Sequence, residues 1–150
     1  MSLWHPSVTV AAVIERDGKF LLVEERQDGR LVFNQPAGHL DPGETLIEAC
    51  AREVLEETAH RFSPAALVGI YRWHYEPDNV TFLRFCFSGA ITSVETARTL
   101  DKEIVALHWL SAKEIKAKVT QHRSPLVQQC LDDYLAGRNF PLTVLSKSHG

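Results

Sequence analysis

Gly38-His39-Leu40-Asp41-Pro42-Gly43-Glu44-Thr45-Leu46-Ile47-Glu48-Ala49-Cys50-Ala51-Arg52-Glu53-Val54-Leu55-Glu56-Glu57-Thr58 is the stretch on which the reading of this chain turns. Pro36, Gly38, Pro42 and Gly43 punctuate a loop. From Glu44 to Thr58 there is no Gly or Pro, and Glu, Ala, Leu and Arg dominate, which predicts a helix. On a wheel turning about 100° per residue with Glu53 at zero, Glu57 falls near 40° and Glu56 near 300°. The three carboxylates share one arc. Val54, Ile47, Thr58, Ala51 and Leu55 fall at about 100–200°, the face expected to be buried. Glu44 lies inside that apolar arc, in a first turn where the macrodipole favours an anion, and reads as a brace between loop and helix. Like charges three and four residues apart cost a helix only about 0.2–0.5 kcal/mol per pair, so a solvated acidic face is one reading. A divalent cation is the other: Mg²⁺ takes oxygen ligands and suits a few carboxylates plus a substrate phosphate. Zinc would want a His or Cys cluster, and the sequence pattern offers none.

On the N-terminal side, Val8–Ile14 is β-branched and apolar, Asp17-Gly18 signals a hairpin and Phe20–Val23 returns as a strand. Asp28-Gly29 marks a second turn before Leu31–Asn34. On the C-terminal side, Ala66–Tyr75 and Thr81–Phe87 flank the turn residues Glu76-Pro77-Asp78-Asn79 and predict a hairpin. Ile104–Leu110 predicts another strand, and Ser111 with Glu114 forms a capping box. Ser124-Pro125 starts a last helix, with a core stripe Leu126, Val127, Cys130, Leu131, Tyr134 and Leu135 and a stop at Gly137. Strands, helix, strands and helices in that order predict one mixed α+β domain.

The chain has 150 residues, enough for one domain with a real core. Its 16 Lys plus Arg against 19 Asp plus Glu argue against a nonspecific nucleic-acid binder, while leaving room for local phosphate contacts. No apolar run approaches the roughly 18 residues of a membrane helix, and Met1–Ser7 carries no secretory signal pattern. Cys50, Cys86 and Cys130 are odd in number and widely spaced, as expected of small buried residues in a reducing compartment, the cytoplasm by default.

Gly38, five residues, Glu44, seven residues, then Arg52-Glu53-Val54-Leu55-Glu56-Glu57 reproduces the Nudix box, so the chain resembles the Nudix hydrolases. Six fixed residue types at about 6% abundance each would match by chance about once in 10⁵ chains of this length. The resemblance implies one Nudix domain over residues 1–150, box 38–60, with a mixed β-sheet between helices (α/β/α). It implies Mg²⁺- or Mn²⁺-dependent cleavage of phosphoanhydride bonds in a small phosphorylated metabolite. The segments Asn34–Leu40, Phe82–Phe85 and Arg123–Val127 resemble a Nudix phosphatase subgroup acting on nucleoside tri- and diphosphates and thiamine-type pyrophosphates. Other family activities remain open: ADP-ribose-type pyrophosphatase, mutagenic-nucleotide sanitiser, pyrophosphate removal from RNA ends. So do a nucleotide-binding Nudix module without turnover and a purely structural interaction domain.

By the same resemblance, Glu53, Glu56 and Glu57 are metal ligands, joined by the Gly38 carbonyl, and Arg52 orients Glu56. Gly38 also reads as a turn glycine. The proton acceptor is Glu56 or Glu57 on the helix, or Glu103 in the loop before the strand Ile104–Leu110. Ala59 and His60 depart from the family's usual Gly and aliphatic residue. A left-handed Ala costs about 1–2 kcal/mol, so either a different turn or a tolerated strain is expected.

The residues themselves supply substrate candidates. Arg84 in an apolar strand needs a partner, phosphate or carboxylate. Arg26 and Arg123 are further phosphate candidates. Tyr71, Trp73 and Tyr75 alternate on one face, fit to stack a ring, fill a core or form an interface, so a monomer or a homodimer is compatible. His39 and His74 are weaker substrate-contact candidates.

Overall fold

The computed structural model describes residues 2–146, so the ends of the expected 1–150 domain lie outside the described residues. The strands are β1 (Ser7–Val13), β2 (Glu15–Arg16), β3 (Lys19–Gln27), β4 (Arg30–Asn34), β5 (Ala37–His39), β6 (His60–Tyr75), β7 (Val80–Val94), β8 (Ile104–Ser111) and β9 (Phe140–Pro141). The helices are α1 (Leu46–Thr58), α2 (Ala112–Ala117) and α3 (Leu126–Leu135). A five-stranded mixed sheet runs β5-β1-β7-β6-β9, with β1 parallel to β7. Beside it lies a smaller antiparallel sheet in which β3 pairs with β2, β4 and β8. The expected mixed sheet between helices is therefore present, with a second sheet alongside.

Local chemistry accounts for the joints. Asp17-Gly18 and Asp28-Gly29 each place two residues at positive φ, the pattern of the tight turns that match strand twist. Thr45 caps α1 and Ser111 caps α2, each in a reciprocal box with the Glu three residues on. Pro125 already has helical dihedrals, and the Ser124 hydroxyl accepts from the Leu126 N–H.

Several elements differ from expectation. Gly38 is not in a turn: β5 pairs it with Val10 of β1. Glu44 stands before the Thr45 cap, outside the helix. β6 and β7 run well beyond Ala66–Tyr75 and Thr81–Phe87, because bulges around Phe62, Ala66 and Gly69 absorb irregular residues such as Pro64. β9 was not foreseen.

The largest correction concerns α1. Its buried residues are Ala49, Cys50, Val54, Glu57 and Thr58, an arc from about −40° to 140° on the same wheel. Cys50 and Val54 enter a core with Val10, Ala12, Leu67 and Phe87, so the helix lies on β1 and β6 beside the short edge strand β5. Glu57 thus falls inside the buried face, not beside it. A second core, on the other side of the large sheet, joins Val13, Phe20, Leu22, Val68 and Cys86 to Ile115 of α2 and Leu126, Cys130 and Leu131 of α3. Helices therefore cover both sides. Among the described residues no helix is long and apolar enough to cross a membrane.

Ala59 ends α1 in the left-handed region, φ 59°, with its N–H on the Leu55 carbonyl. The strain is tolerated and no alternative turn forms. The Ala59 carbonyl accepts from Glu95 N–H, and His60 is buried with Nδ1 at 2.6 Å from the Thr58 carbonyl.

Candidate active site

A cleft of about 1140 Å³ runs around the β5 edge, between the two sheets and the start of α3. Glu53, Glu57 and Gly38 line it at the β5 edge; Trp73, Tyr75 and Phe82 line it from β6 and β7, with Arg84 of β7 two strands from β5. The β3–β4 hairpin contributes Glu25, Arg26, Val32 and Asn34 to the wall.

The acidic end is built around a close approach. A Cβ on Gly38 would stand 2.1 Å from Glu53 Cδ, so only glycine lets this carboxylate lie against β5. Arg52 gathers the surrounding acids: it donates to Glu44 (2.7 and 3.0 Å), Glu53 (2.7 Å), Glu56 (3.2 Å) and the His39 carbonyl. Glu44 also accepts from Asp41 N–H, and the Arg52 hydrogen bond holds its carboxyl below the usual range. The brace between loop and helix is thus a Glu44–Arg52 pair.

One oxygen from each of Glu53, Glu56 and Asp101 lies within 4.8 Å of the others. Asp101 was missed in the sequence. Its backbone N–H donates to the Glu56 carbonyl, one of the helix-end acceptors left without an intrahelical donor, and this bond fixes the loop against α1. The donors are all hard carboxylate oxygens, which fit Mg²⁺ or Mn²⁺ and not a soft metal.

Glu57 sits apart from that trio. It is 8% exposed, and its Oε1 accepts from the Ala37 N–H at 2.9 Å. Burial pushes its carboxyl up to about 9, with Glu25, Glu53 and Asp101 adding to the rise. Burial also raises Glu53, against the pull of Arg52. Glu103 lines the cleft but is exposed and outside the trio; its backbone carbonyl accepts from Arg26 N–H.

The other end joins residues far apart in sequence. Trp73 stacks on Phe82 at 5.7 Å between centroids and 18° between planes, with Tyr75 tilted at 5.4 Å. Tyr71 lies deeper, in the core, with its hydroxyl donating to Asp133; it leaves the aromatic platform. Arg84 is 6% exposed, and its protein partners are not a carboxylate but neutral groups: Asn34 Oδ1 at 3.1 Å, Gln35 Oε1 at 3.0 Å and Cys130 Sγ at 3.9 Å. Arg26 lines the cleft mouth. Arg123 reaches back to the buried Glu25 at 2.7 Å, a partner not foreseen. His39 lines the cleft with its ring 3.2 Å from the Ser7 hydroxyl, whereas His74 bonds Thr81 and does not line it. All three cysteines are buried free thiols.

Residues 3–130 match the NUDIX domain. The chain is 41% identical over 143 residues to the phosphatase NudJ of Shigella boydii serotype 4 (strain Sb227), spanning 95% of this chain and 92% of that protein. Over the same span it is 40% identical to the phosphatase NudJ of Escherichia coli (strain K12). A solved NUDIX hydrolase from Nitrosomonas europaea aligns with TM-score 0.94 at 53% identity, over 96% of this chain and 98% of that one.

Proposed function

The chain belongs to the Nudix family and is a hydrolase of phosphoanhydride bonds, and from that premise we propose that it is a Mg²⁺- or Mn²⁺-dependent phosphatase of nucleoside tri- and diphosphates and thiamine-type pyrophosphates. One observation carries this reading. Glu53 of the box helix lines the cleft and shares a cluster of carboxylate oxygens with Glu56 and Asp101, and the same cleft is lined by the Trp73–Phe82 platform and the buried Arg84 guanidinium. A phosphate chain fits the acidic end and a flat ring the aromatic platform.

Glu53, Glu56 and Asp101 would hold the cation, with Glu57 and the Gly38 carbonyl beside them. Bound there, a divalent cation supplies charge neutralisation on the phosphoanhydride and a more acidic water. The chain's own groups do the rest. Trp73 with Tyr75 and Phe82 stacks the ring, while Arg84, Arg26 and Arg123 meet the anionic part of the substrate. Arg52 keeps Glu53 and Glu56 oriented. Water oxygen bonds to the terminal phosphorus, the bridging P–O bond breaks, and the water's proton passes to a carboxylate.

Glu56 is the preferred acceptor of that proton. Glu57 has one oxygen committed to the Ala37 N–H. Glu103 stands outside the oxygen trio. The buried thiols fit the cytoplasm.

The test is phosphate release with Mg²⁺ from GDP, GTP, thiamine pyrophosphate, ADP-ribose and diadenosine polyphosphates, each with and without added alkaline phosphatase. Free phosphate without the helper enzyme, from the terminal di- and triphosphates, supports the reading. Signal only with it, from ADP-ribose or the diadenosine compounds, replaces it with internal pyrophosphate cleavage. Bound but unhydrolysed nucleotide would favour a binding module.

A further inference from the structure

Glu25 belongs to no motif, yet it is only 4% exposed and faces the cleft. It lies on β3, where the register with β8 slips at Glu24/Glu25, and opposite Val32 of β4, which lines the same wall. A carboxylate buried this far must be paired, because an isolated charge out of water is strongly disfavoured. Its hydrogen-bonded partner is Arg123, at 2.7 Å between Arg123 Nη1 and Glu25 Oε1. Among the described residues that bond is the one side-chain hydrogen bond Arg123 makes, so its other N–H donors are open to a ligand. Arg123 is in turn fixed at its backbone, its N–H donating to the Phe33 carbonyl of β4. Its side chain is 42% exposed on the cleft wall.

We propose that Glu25 is a positioning residue: it holds the Arg123 guanidinium over the cleft in the orientation that meets the substrate's phosphate chain. This rests on the reading of Arg123 as a phosphate contact. The pair is electrically neutral, so Arg123 contributes through direction and not through net attraction. A long, flexible side chain held by a buried carboxylate loses its rotamer entropy on folding, before the substrate arrives.

Glu25→Gln separates this role from two simpler ones by sign. Removing a negative charge from the cleft should tighten an anionic ligand if charge alone matters. Loosening Arg123 should weaken it. A structural role would lower Tm and leave ligand binding alone. Calorimetric binding of GDP without added metal, alongside GDP turnover with Mg²⁺, reads all three. We expect Glu25→Gln to raise Kd and KM about tenfold, a loss on the scale of one charge-assisted hydrogen bond, with kcat within about twofold.

Arg123→Gln would strand a buried carboxylate and can cost the fold, so the companion is Glu25→Gln/Arg123→Gln, which removes both charges. It should bind GDP no more weakly than Glu25→Gln alone. Tighter or unchanged GDP binding in Glu25→Gln, or a double variant that binds GDP more weakly than Glu25→Gln, overturns the proposal. Wild-type protein that binds GDP without hydrolysing it counts against the phosphatase reading and leaves the Glu25 comparison intact.

Discussion

The two ends of the cleft are made in opposite ways. At the acidic end, Glu53, Glu56 and Glu57 come from one turn and a half of α1, and Arg52 on the same helix ties Glu53 and Glu56 together. At the aromatic end, Trp73 and Tyr75 come from β6, Phe82 and Arg84 from β7, Asn34 from β4 and Arg123 from the segment before α3. The first is a local constellation, set by the 3.6-residue period. The second combines a hairpin that sets Trp73 opposite Phe82 with Asn34 and Arg123, which only long-range packing brings to the same cleft. In the proposed function the two ends do different work: the acidic end carries the chemistry, and the aromatic end selects and orients.

The largest effect that would break this division is expected at the acidic end. Glu56→Gln should lower kcat about 10²–10³-fold, leaving GDP binding and Tm nearly unchanged, because the residue is only partly buried. Gly38→Ala should do comparable damage by another route. Its new Cβ would displace the Glu53 carboxylate, the far end of a flexible side chain, so metal-dependent turnover should fall with little change in Tm. Kinetics and thermal unfolding on the same samples check both.

At the aromatic end, Trp73→Ala should raise KM for GDP about tenfold or more, since stacking is worth about 1–3 kcal/mol per base. A kcat collapse in that variant would erase the distinction between the ends.

A subtler difference is in pH. Glu57 has its carboxyl raised from 4.5 to about 9, so the folded protein holds that proton more tightly than the unfolded chain. Its stabilising effect is full below 4.5 and is lost as pH rises toward 9. In chelator, Tm should fall across that window, and added Mg²⁺ should recover more of it at the alkaline end. Glu57→Gln should flatten the profile. The smallest effect is expected at Ala59: with φ 59°, Ala59→Gly should raise stability by about 1 kcal/mol without altering turnover.

The same contrast explains what could be read in advance. The helix period exposed the three glutamates and Arg52, and the two Asp-Gly turns and the Ser111–Glu114 capping box followed from local chemistry, whereas the Thr45–Glu48 box at the start of α1 went unread. The period did not reveal which way α1 is rolled, because Glu57 is buried by its contact with Ala37, a residue twenty positions away. Asp101 escaped because its loop has no period; a backbone bond to the Glu56 carbonyl brings it to the site. Glu103, two residues on, carries the same chemistry and looked equivalent in sequence. The neutral partners of Arg84 and the pairing of Arg123 with Glu25 span dozens of residues and needed the fold. Tyr71 shares the alternation of Trp73 and Tyr75 but lies deeper, a distinction that alternation alone does not carry.

The most direct test of the division is one experiment on two variants: kcat and KM for GDP hydrolysis with Mg²⁺ in Glu56→Gln and Trp73→Ala, beside wild type. Glu56→Gln is expected to lose kcat at nearly constant KM, and Trp73→Ala to raise KM at nearly constant kcat. If both variants move the same parameter, the cleft does not divide its work between an acidic and an aromatic end, and the account is wrong.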